Sequence, residues 1–411
     1  MPWILISWRV GIIKMVESSG STDNYINIYE SALEEWGKQS FDRSIELFGE
    51  SLKAAQTKGD KFFANKALNE IEIRQEKTYL YSFPRVAHVT LTSRCNMRCP
   101  FCYLDRYQDS KDMPREHCLE IIKLFPYLQH LTWQGGEAFL HSSFKEMILE
   151  SINFPNFEQT LLTNGLFLDG EWLDLFQKIP KFTIVISLES IKKETYEELR
   201  KGGSFEKLVS NIRLINSLGE KNNHRFNLLL NIILMKRNYQ EIEEMVDFAI
   251  ENKFNHVMLT SLYANGSEFY NQEYLSPDES RVREYFSALM PKVTEKAKKN
   301  NLYLDDRFTG TGKAGAPSSG QGAICFSPWQ QLFIESTGEV KSYCSCVHTL
   351  GNLKNNSIKD IWNGEKVIEL RKNIIGRDYS SCNPACVEGL LDQNNLKLIY
   401  RRNKDGKCCA G

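Results

Sequence analysis

The chain has 411 residues, with 51 lysines and arginines against 52 acidic residues and a net charge of −1. That balance provides no global field to draw in nucleic acid or an anionic membrane surface, so neither is expected as a partner. Hydrophobic residues at 42% and charged residues at 25% fit a soluble globular protein, long enough for two or three units.

No apolar run is long enough to span a bilayer, so no membrane span is expected. The apolar opening from Met1 to Val16 is short and has no small-residue cleavage site. Residues 1–23 read as a leader, disordered or mis-started, and translation from Met15 would remove most of it; a membrane-surface anchor is the alternative. Cysteines stand at 95, 99, 102, 118, 325, 344, 346, 382, 386, 408 and 409. Their odd number, with no secretion signal, argues against a secreted disulfide framework and for a reducing cytoplasm.

Residues 24–84 read as helical. Ile28-Tyr-Glu-Ser-Ala-Leu-Glu-Glu-Trp36 has helical spacing, and the run from Ser40 to Ala55 repeats it. A third helix starts near Gly59. The segment resembles one tetratricopeptide-type hairpin with an added helix, too little to form a solenoid. It reads as a cap on the next domain, with a partner-docking module as the alternative.

Between 85 and 308 the period changes. Strands are predicted from Val86 to Thr92, at His130–Gln134, Gln159–Thr163, Phe182–Leu188, Phe226–Leu234 and His256–Leu262, with helices such as Tyr239 to Asn252 between them. Six β–α units in series imply a parallel sheet with helices outside. Eight would close a barrel, so the expected fold is α/β: a partial (β/α)6 TIM-like barrel with an N-terminal helical extension. Functional loops should follow the carboxyl ends of the strands. A Gly/Ser/Ala-rich linker covers 309–322. A small domain follows over 323–400, with a hairpin signal from Gln331 to Tyr343 and a helix near 358–373. The tail, 401–411, carries Cys408 and Cys409. That thiol pair suits a soft metal, a metalloid or redox chemistry, and an unordered end is the alternative.

Cys95-Asn-Met-Arg-Cys99-Pro-Phe-Cys102 lies directly after the first predicted strand. One compact loop can wrap these three thiolates around a cubane cluster. A [4Fe–4S] cluster normally takes four, so three leave one iron open to a small molecule. The alternative is a structural zinc site, but zinc prefers four ligands and no fourth is adjacent.

Further motifs stand at predicted strand ends: Gly135-Gly136-Glu137 after the second strand, Thr163-Asn164-Gly165 after the third, Ser187-Leu188-Glu189 after the fourth, and then Arg200. With the cysteine loop, this set resembles the radical S-adenosylmethionine superfamily over Val86 to about Tyr263. The resemblance implies that Cys95, Cys99 and Cys102 hold a [4Fe–4S] cluster whose open iron is chelated by S-adenosylmethionine. Reductive cleavage would then give a 5′-deoxyadenosyl radical that takes a hydrogen atom from substrate. It implies cofactor contacts from Gly135, Gly136, Glu137, Asn164 and Ser187, and places Arg200 near the cofactor carboxylate. Tyr103 would approach the adenine, with an ordinary packed aromatic as the alternative. Glu189 departs from the commoner aspartate and receives no role.

Cys325, Cys344, Cys382 and Cys386 supply four thiolates, enough for a second, fully ligated cluster; a zinc knuckle is the alternative. Gly351-Asn352-Leu353 and Ser357 to Gly364 resemble the auxiliary-cluster extensions called SPASM and twitch domains. The dense central cysteine run of the full SPASM pattern is missing, so the shorter twitch type, with one auxiliary [4Fe–4S] cluster, is expected. Cys346 is left over. It is a substitute for Cys344, a hydrogen-atom donor, or a packing residue. Cys118 reads as core.

The expected substrate is a ribosomally made peptide, epimerised or cross-linked. The alternatives are dehydrogenation of a small alcohol or amino sugar, and a non-catalytic metal-binding scaffold. An electron donor such as flavodoxin or ferredoxin is implied.

Overall fold

The computed structural model describes residues 23–102, 104, 111–222, 226–262, 267–309, 325–344 and 346–383, together with the backbone of 401–402 and 408–409. Most of the expected leader, most of the linker, Tyr103 and Cys386 lie outside the described residues, and Asp23, the last residue given to the leader, begins the first helix. The chain divides into two compact units, one holding 86–309 and 334–338, the other holding 23–85, 325–333 and 339–383.

The second of these units begins with three helices, α1 (Asp23–Gly37), α2 (Phe41–Ala54) and α3 (Lys58–Arg74). Tyr25, Tyr29, Ala32, Phe48, Leu68 and Ile71 form their shared core. Gln39 takes a positive φ of 65° where α1 turns back into α2. Helix α3 also buries a polar face: Asn65, Asn69, Glu70 and Glu72 are all buried. These side chains fix the irregular segment that follows. Asn65 donates to the Phe83 carbonyl at 3.2 Å and accepts from the Phe83 amide at 2.7 Å. Glu72 accepts from the Tyr81 and Ser82 amides at 2.6 and 3.3 Å. Arg85 and Glu70 pair at 3.3 Å, both buried. Buried polar groups persist when each finds such partners.

The other unit is a run of parallel strands in chain order: β1 (Val86–Thr90), β2 (His130–Gln134), β3 (Glu158–Thr163), β4 (Phe182–Ser187), β5 (Asn227–Leu234), β6 (His256–Ser261) and β7 (Tyr303–Asp306). Each pairs in parallel with its successor. The connecting helices are α4 (Arg115–Ile122), α5 (Phe144–Ser151), α6 (Gly170–Phe176), α7 (Lys193–Leu199), α8 (Phe205–Lys221), α9 (Ile242–Glu251), α10 (Glu268–Glu273) and α11 (Ser280–Lys299). This is the expected partial barrel, with one strand more than the six predicted. Tyr303–Asp306 is four residues long and ends Leu-Asp-Asp, which gives no apolar alternation to read.

Along β5, residues 228, 230, 232 and 234 are buried and those between them less so, which separates a helix-covered face from an inner one. On the covered side Trp133, Phe144, Trp172, Phe176 and Phe182 pack ring to ring. Several helices start where the sequence places a cap: Asp169 accepts from the Trp172 amide, Ser204 from Lys207 and Ser267 from Tyr270.

The chain then forms α12 (Ser327–Gln330), β8 (Gln331–Ile334), β9 (Glu339–Lys341), β10 (Thr349–Asn352), α13 (Ile358–Trp362) and α14 (Glu365–Ile375). Strand β9 lies beside β8 and pairs antiparallel with β10. Ser357 and Asp360 make a reciprocal capping box at α13. In the tail, Arg401–Arg402 pairs antiparallel with Cys408–Cys409.

The amino-terminal helices and this carboxyl-terminal region belong to the same unit. Asn69 donates to the Trp329 carbonyl at 2.8 Å, and the Trp329 and Trp362 indoles donate to the carbonyls of Lys77 and Ser82. Arg371, fully buried, donates to the carbonyls of Pro328, Thr78 and Trp362. The helical extension is therefore built into the carboxyl-terminal region through buried polar contacts.

Candidate active site at the strand ends

The segment after β1 holds Cys95, Cys99 and Cys102; Cys99 is buried and the other two are half-buried. Its shape is set by contacts from four directions. Arg94 anchors the start: its Nε donates to Asp112 at 2.8 Å and its Nη2 to the Leu140 carbonyl at 2.6 Å. Within the loop Arg98 donates to the carbonyls of Cys95 and Met97, and the Met97 amide lies 3.4 Å from Cys95 Sγ.

The Gly135–Glu137 turn after β2 presses on the loop. The amides of Gly136 and Glu137 donate to the carbonyls of Thr92 and Arg94, both at 2.8 Å. A Cβ on Gly136 would fall 2.0 Å from the Arg94 carbonyl oxygen, and one on Gly135, at φ 124°, 2.6 Å from that of Thr92. The glycines are needed because two backbones meet here. The Glu137 side chain is fully buried and turns toward β3: Thr163 Oγ1 donates to it at 2.9 Å and the Asn164 amide at 3.0 Å. Burial pushes its carboxyl up to about 7, against the pull of those two donors.

Asn164, after β3, donates to Asn96 Oδ1 at 2.8 Å and lies 3.9 Å from Cys95 Sγ. On the opposite side the turn after α7 closes on the loop. The Arg98 amide donates to the Lys201 carbonyl at 2.7 Å. Gly202, at φ 90°, sits where a Cβ would be 2.9 Å from the Asn96 carbonyl oxygen. Arg200 Nη1 lies 3.7 Å from Cys99 Sγ, and its guanidinium stands 5.2 Å from the centre of the Phe101 ring. Its Nε and Nη2 bind both oxygens of Glu189 at 2.6 Å.

Ser187 ends β4 in register with Asn231 of β5. The buried atoms Asn231 Oδ1 and Thr90 Oγ1 have no hydrogen-bond partner among the described residues. Buried polar atoms of this kind call for a partner. The strand ends thus carry three thiols on one loop and donors aimed at two of the sulfurs, and β1 and β5 add the unsatisfied polar atoms of Thr90 and Asn231. That donor set fits an iron–sulfur cluster with a polar ligand. The sequence alone did not point to Asn96, Thr90, Asn231 or the Gly202–Gly203 turn. Their types are common in loops and strands, and their meaning comes from contacts across the fold.

In the carboxyl-terminal region Cys325, Cys346 and Cys382 are half-buried and Cys344 is exposed. His348 Nε2 lies 3.9 Å from Cys382 Sγ and 3.4 Å from Ser381 Oγ. Among the described residues no three Cys, His, Asp or Glu side chains converge as a site for a single metal ion.

An open parallel β/α barrel with a three-cysteine loop at its strand ends defines a cluster-dependent enzyme of the S-adenosylmethionine type. The chain belongs to the radical SAM superfamily, whose profile matches residues 89–249, and it carries an iron–sulfur cluster-binding SPASM domain over 325–387. Such a chain uses a [4Fe–4S] cluster with S-adenosylmethionine and an auxiliary iron–sulfur cluster. A tungsten-containing aldehyde ferredoxin oxidoreductase cofactor-modifying protein of Pyrococcus furiosus is 21% identical over 330 residues, covering 74% of this chain and 88% of that one. A GTP 3′,8-cyclase of Clostridium botulinum is 24% identical over 226 residues, covering 52% and 68%. Among solved structures, Streptococcus suis SuiB bound to the precursor peptide SuiA superposes with a TM-score of 0.57 at 18% identity, covering 76% of this chain and 72% of that one. Native anSMEcpe with bound AdoMet superposes at 0.51 and 21% identity, covering 69% and 82%. Among the described residues no helix is long and apolar enough to cross a membrane.

Proposed function

We propose that the protein reductively cleaves S-adenosylmethionine at a cluster held by Cys95, Cys99 and Cys102, and removes a hydrogen atom from a ribosomally made peptide, leading to epimerisation or a cross-link. The observation that carries this reading is the clamped loop: three thiols held in place by the Gly135–Glu137 turn, Asn164 and the Lys201–Gly203 turn. When bound, the reduced cluster supplies one electron to S-adenosylmethionine, and the resulting carbon radical takes hydrogen from substrate.

The chain's own residues do the positioning. The Gly135–Glu137 turn and Asn164, which touch the cysteine loop, are assigned to the cofactor together with Ser187 at the end of β4, and Tyr103, outside the described residues, is assigned to the adenine. Thr90 and Asn231 offer a hydroxyl and an amide oxygen to a polar ligand. Cys325, Cys344, Cys382 and Cys386 hold the auxiliary cluster, and Cys346 stands free as a hydrogen-atom donor. The setting is a reducing cytoplasm with flavodoxin or ferredoxin as electron source.

The peptide reading is supported by SuiB, which was solved with its precursor peptide. A second reading, a small-molecule or cofactor substrate, is supported by the cofactor-modifying relative from Pyrococcus, which spans more of this chain than the cyclases do.

The test is anaerobic reconstitution, iron counting and a 5′-deoxyadenosine assay with dithionite. About eight irons per chain are expected for two [4Fe–4S] clusters, with release of 5′-deoxyadenosine. Replacing Cys95, Cys99 and Cys102 by alanine should halve the iron and abolish release. Zinc in place of iron, with no release, would sink the proposal in favour of a metal-binding scaffold. Turnover of a short peptide encoded beside the gene, set against small alcohols and amino sugars, separates the two substrate readings.

A further inference from the structure

Glu189 follows β4 and is completely buried. A carboxylate there is stable only with strong partners, because burying an unpaired charge is costly. Its partner is the fork of Arg200, which meets it at 2.6 Å through both Nε and Nη2. Asn238 Nδ2 donates to the Glu189 main-chain carbonyl at 2.7 Å, which fixes the backbone that carries the carboxylate. A bidentate fork sets the plane of the guanidinium as well as its distance. The remaining nitrogen, Nη1, is thereby turned toward Cys99 Sγ at 3.7 Å, with the Phe101 ring against the guanidinium. An aspartate at 189 would be one methylene short of this geometry.

We infer that Glu189 and Arg200 are a positioning pair that holds a guanidinium N–H on the Cys99 sulfur and makes the cluster carried there easier to reduce. Reduction adds negative charge to the cluster and its sulfurs. Hydrogen bonds and net charge at those sulfurs set the potential, and a cationic donor favours the reduced state. Glu189 acts through Arg200 by fixing where that donor lies. The inference rests on the proposed cluster at Cys95, Cys99 and Cys102, and concerns its potential, not the identity of the substrate.

The test is an EPR-monitored redox titration of the full-length reconstituted protein without S-adenosylmethionine. The variant lacking Cys95, Cys99 and Cys102 identifies the auxiliary signal. In Arg200→Gln the reduced-to-oxidised ratio of the first cluster should fall about tenfold at fixed potential, a shift of about 59 mV to the negative for one electron. Glu189→Gln should move it part of the way, and Arg200→Lys should recover part of the loss. An unchanged potential in Arg200→Gln with full iron overturns the inference. So does a variant that binds S-adenosylmethionine more weakly at unchanged potential, which would assign Arg200 to the cofactor instead. Should Arg200→Gln lose its iron, Glu189→Gln decides, since it retains the guanidinium: an unshifted potential there overturns the pair. Failure of the underlying proposal shows separately, as wild-type protein that holds no first cluster or releases no 5′-deoxyadenosine.

Discussion

Leu80 and Asn363 exchange a pair of hydrogen bonds: the Leu80 amide donates to Asn363 Oδ1 at 2.9 Å, and Asn363 Nδ2 donates to the Leu80 carbonyl at 2.7 Å. One side-chain amide therefore satisfies both backbone groups of a residue 283 positions earlier in the chain. Replacing Asn363 by alanine removes both bonds. The expected loss is about 2 kcal/mol of unfolding free energy, the usual cost of leaving such groups unpaired. Chemical denaturation of the apo-protein measures it, and an unchanged midpoint would show that water replaces the amide.

Gly136→Ala should abolish assembly of the first cluster. The added carbon would overlap the Arg94 carbonyl at 2.0 Å, and that carbonyl is backbone held by the Glu137 amide, so it cannot swing aside. Iron counting should show loss of the first cluster with the auxiliary one retained. Gly49→Ala is the matched control. It lies inside α2 with nothing within 4 Å of the added carbon, and should stabilise the protein by about 0.5–1 kcal/mol.

Glu72 carries a pH dependence. Burial is the largest influence on its carboxyl and pushes it up to about 7, against donors from Ser82 and Tyr81 and the charge of Arg371. Between its ordinary value of 4.5 and about 7 the folded state keeps a proton that the unfolded state releases. Stability from this group is therefore complete at the acid end and falls as pH rises through that window, by up to about 3 kcal/mol. Glu72→Gln should flatten this part of the stability curve, measured by denaturant unfolding from pH 4.5 to 8. An equally steep fall in the variant would assign the dependence to other groups.

Cys344 and Cys346 are separable by metal content. With Cys344 as the auxiliary ligand, Cys344→Ser should lower the iron by roughly four per chain, and Cys346→Ser should leave it unchanged. If Cys346 donates a hydrogen atom, Cys346→Ser should still release 5′-deoxyadenosine while losing the modified product. Loss of iron in Cys346→Ser and not in Cys344→Ser would exchange the two roles.

The barrel was legible because short β-rich runs alternate with amphipathic helical stretches, and the candidate site because the cysteine spacing and strand-end motifs stand at fixed offsets. Strand β7 escaped because Tyr-Leu-Asp-Asp carries no alternation. The inner face of α3 escaped for a different reason. Asn65, Asn69 and Glu72 look like solvent-facing residues in a helix, and their burial depends on backbone groups of 81–83 and 329 that a linear reading cannot bring to them. Glu189 stood at the expected motif position, yet its partner Arg200 lies eleven residues on and meets it only in the folded chain. The family profile reaches the carboxyl-terminal domain as SPASM over 325–387 although the dense cysteine run is missing.

Arg200 stands 101 residues after Cys99, and the Lys201–Gly203 turn closes the last side of the cysteine loop. During synthesis the thiols therefore emerge well before the wall that shapes their loop. Until α7 and the turn after it have been made, the loop lacks the contacts that Arg200 and Lys201 give it. A chain stalled before residue 200 would carry all three thiols without the turn that closes their loop.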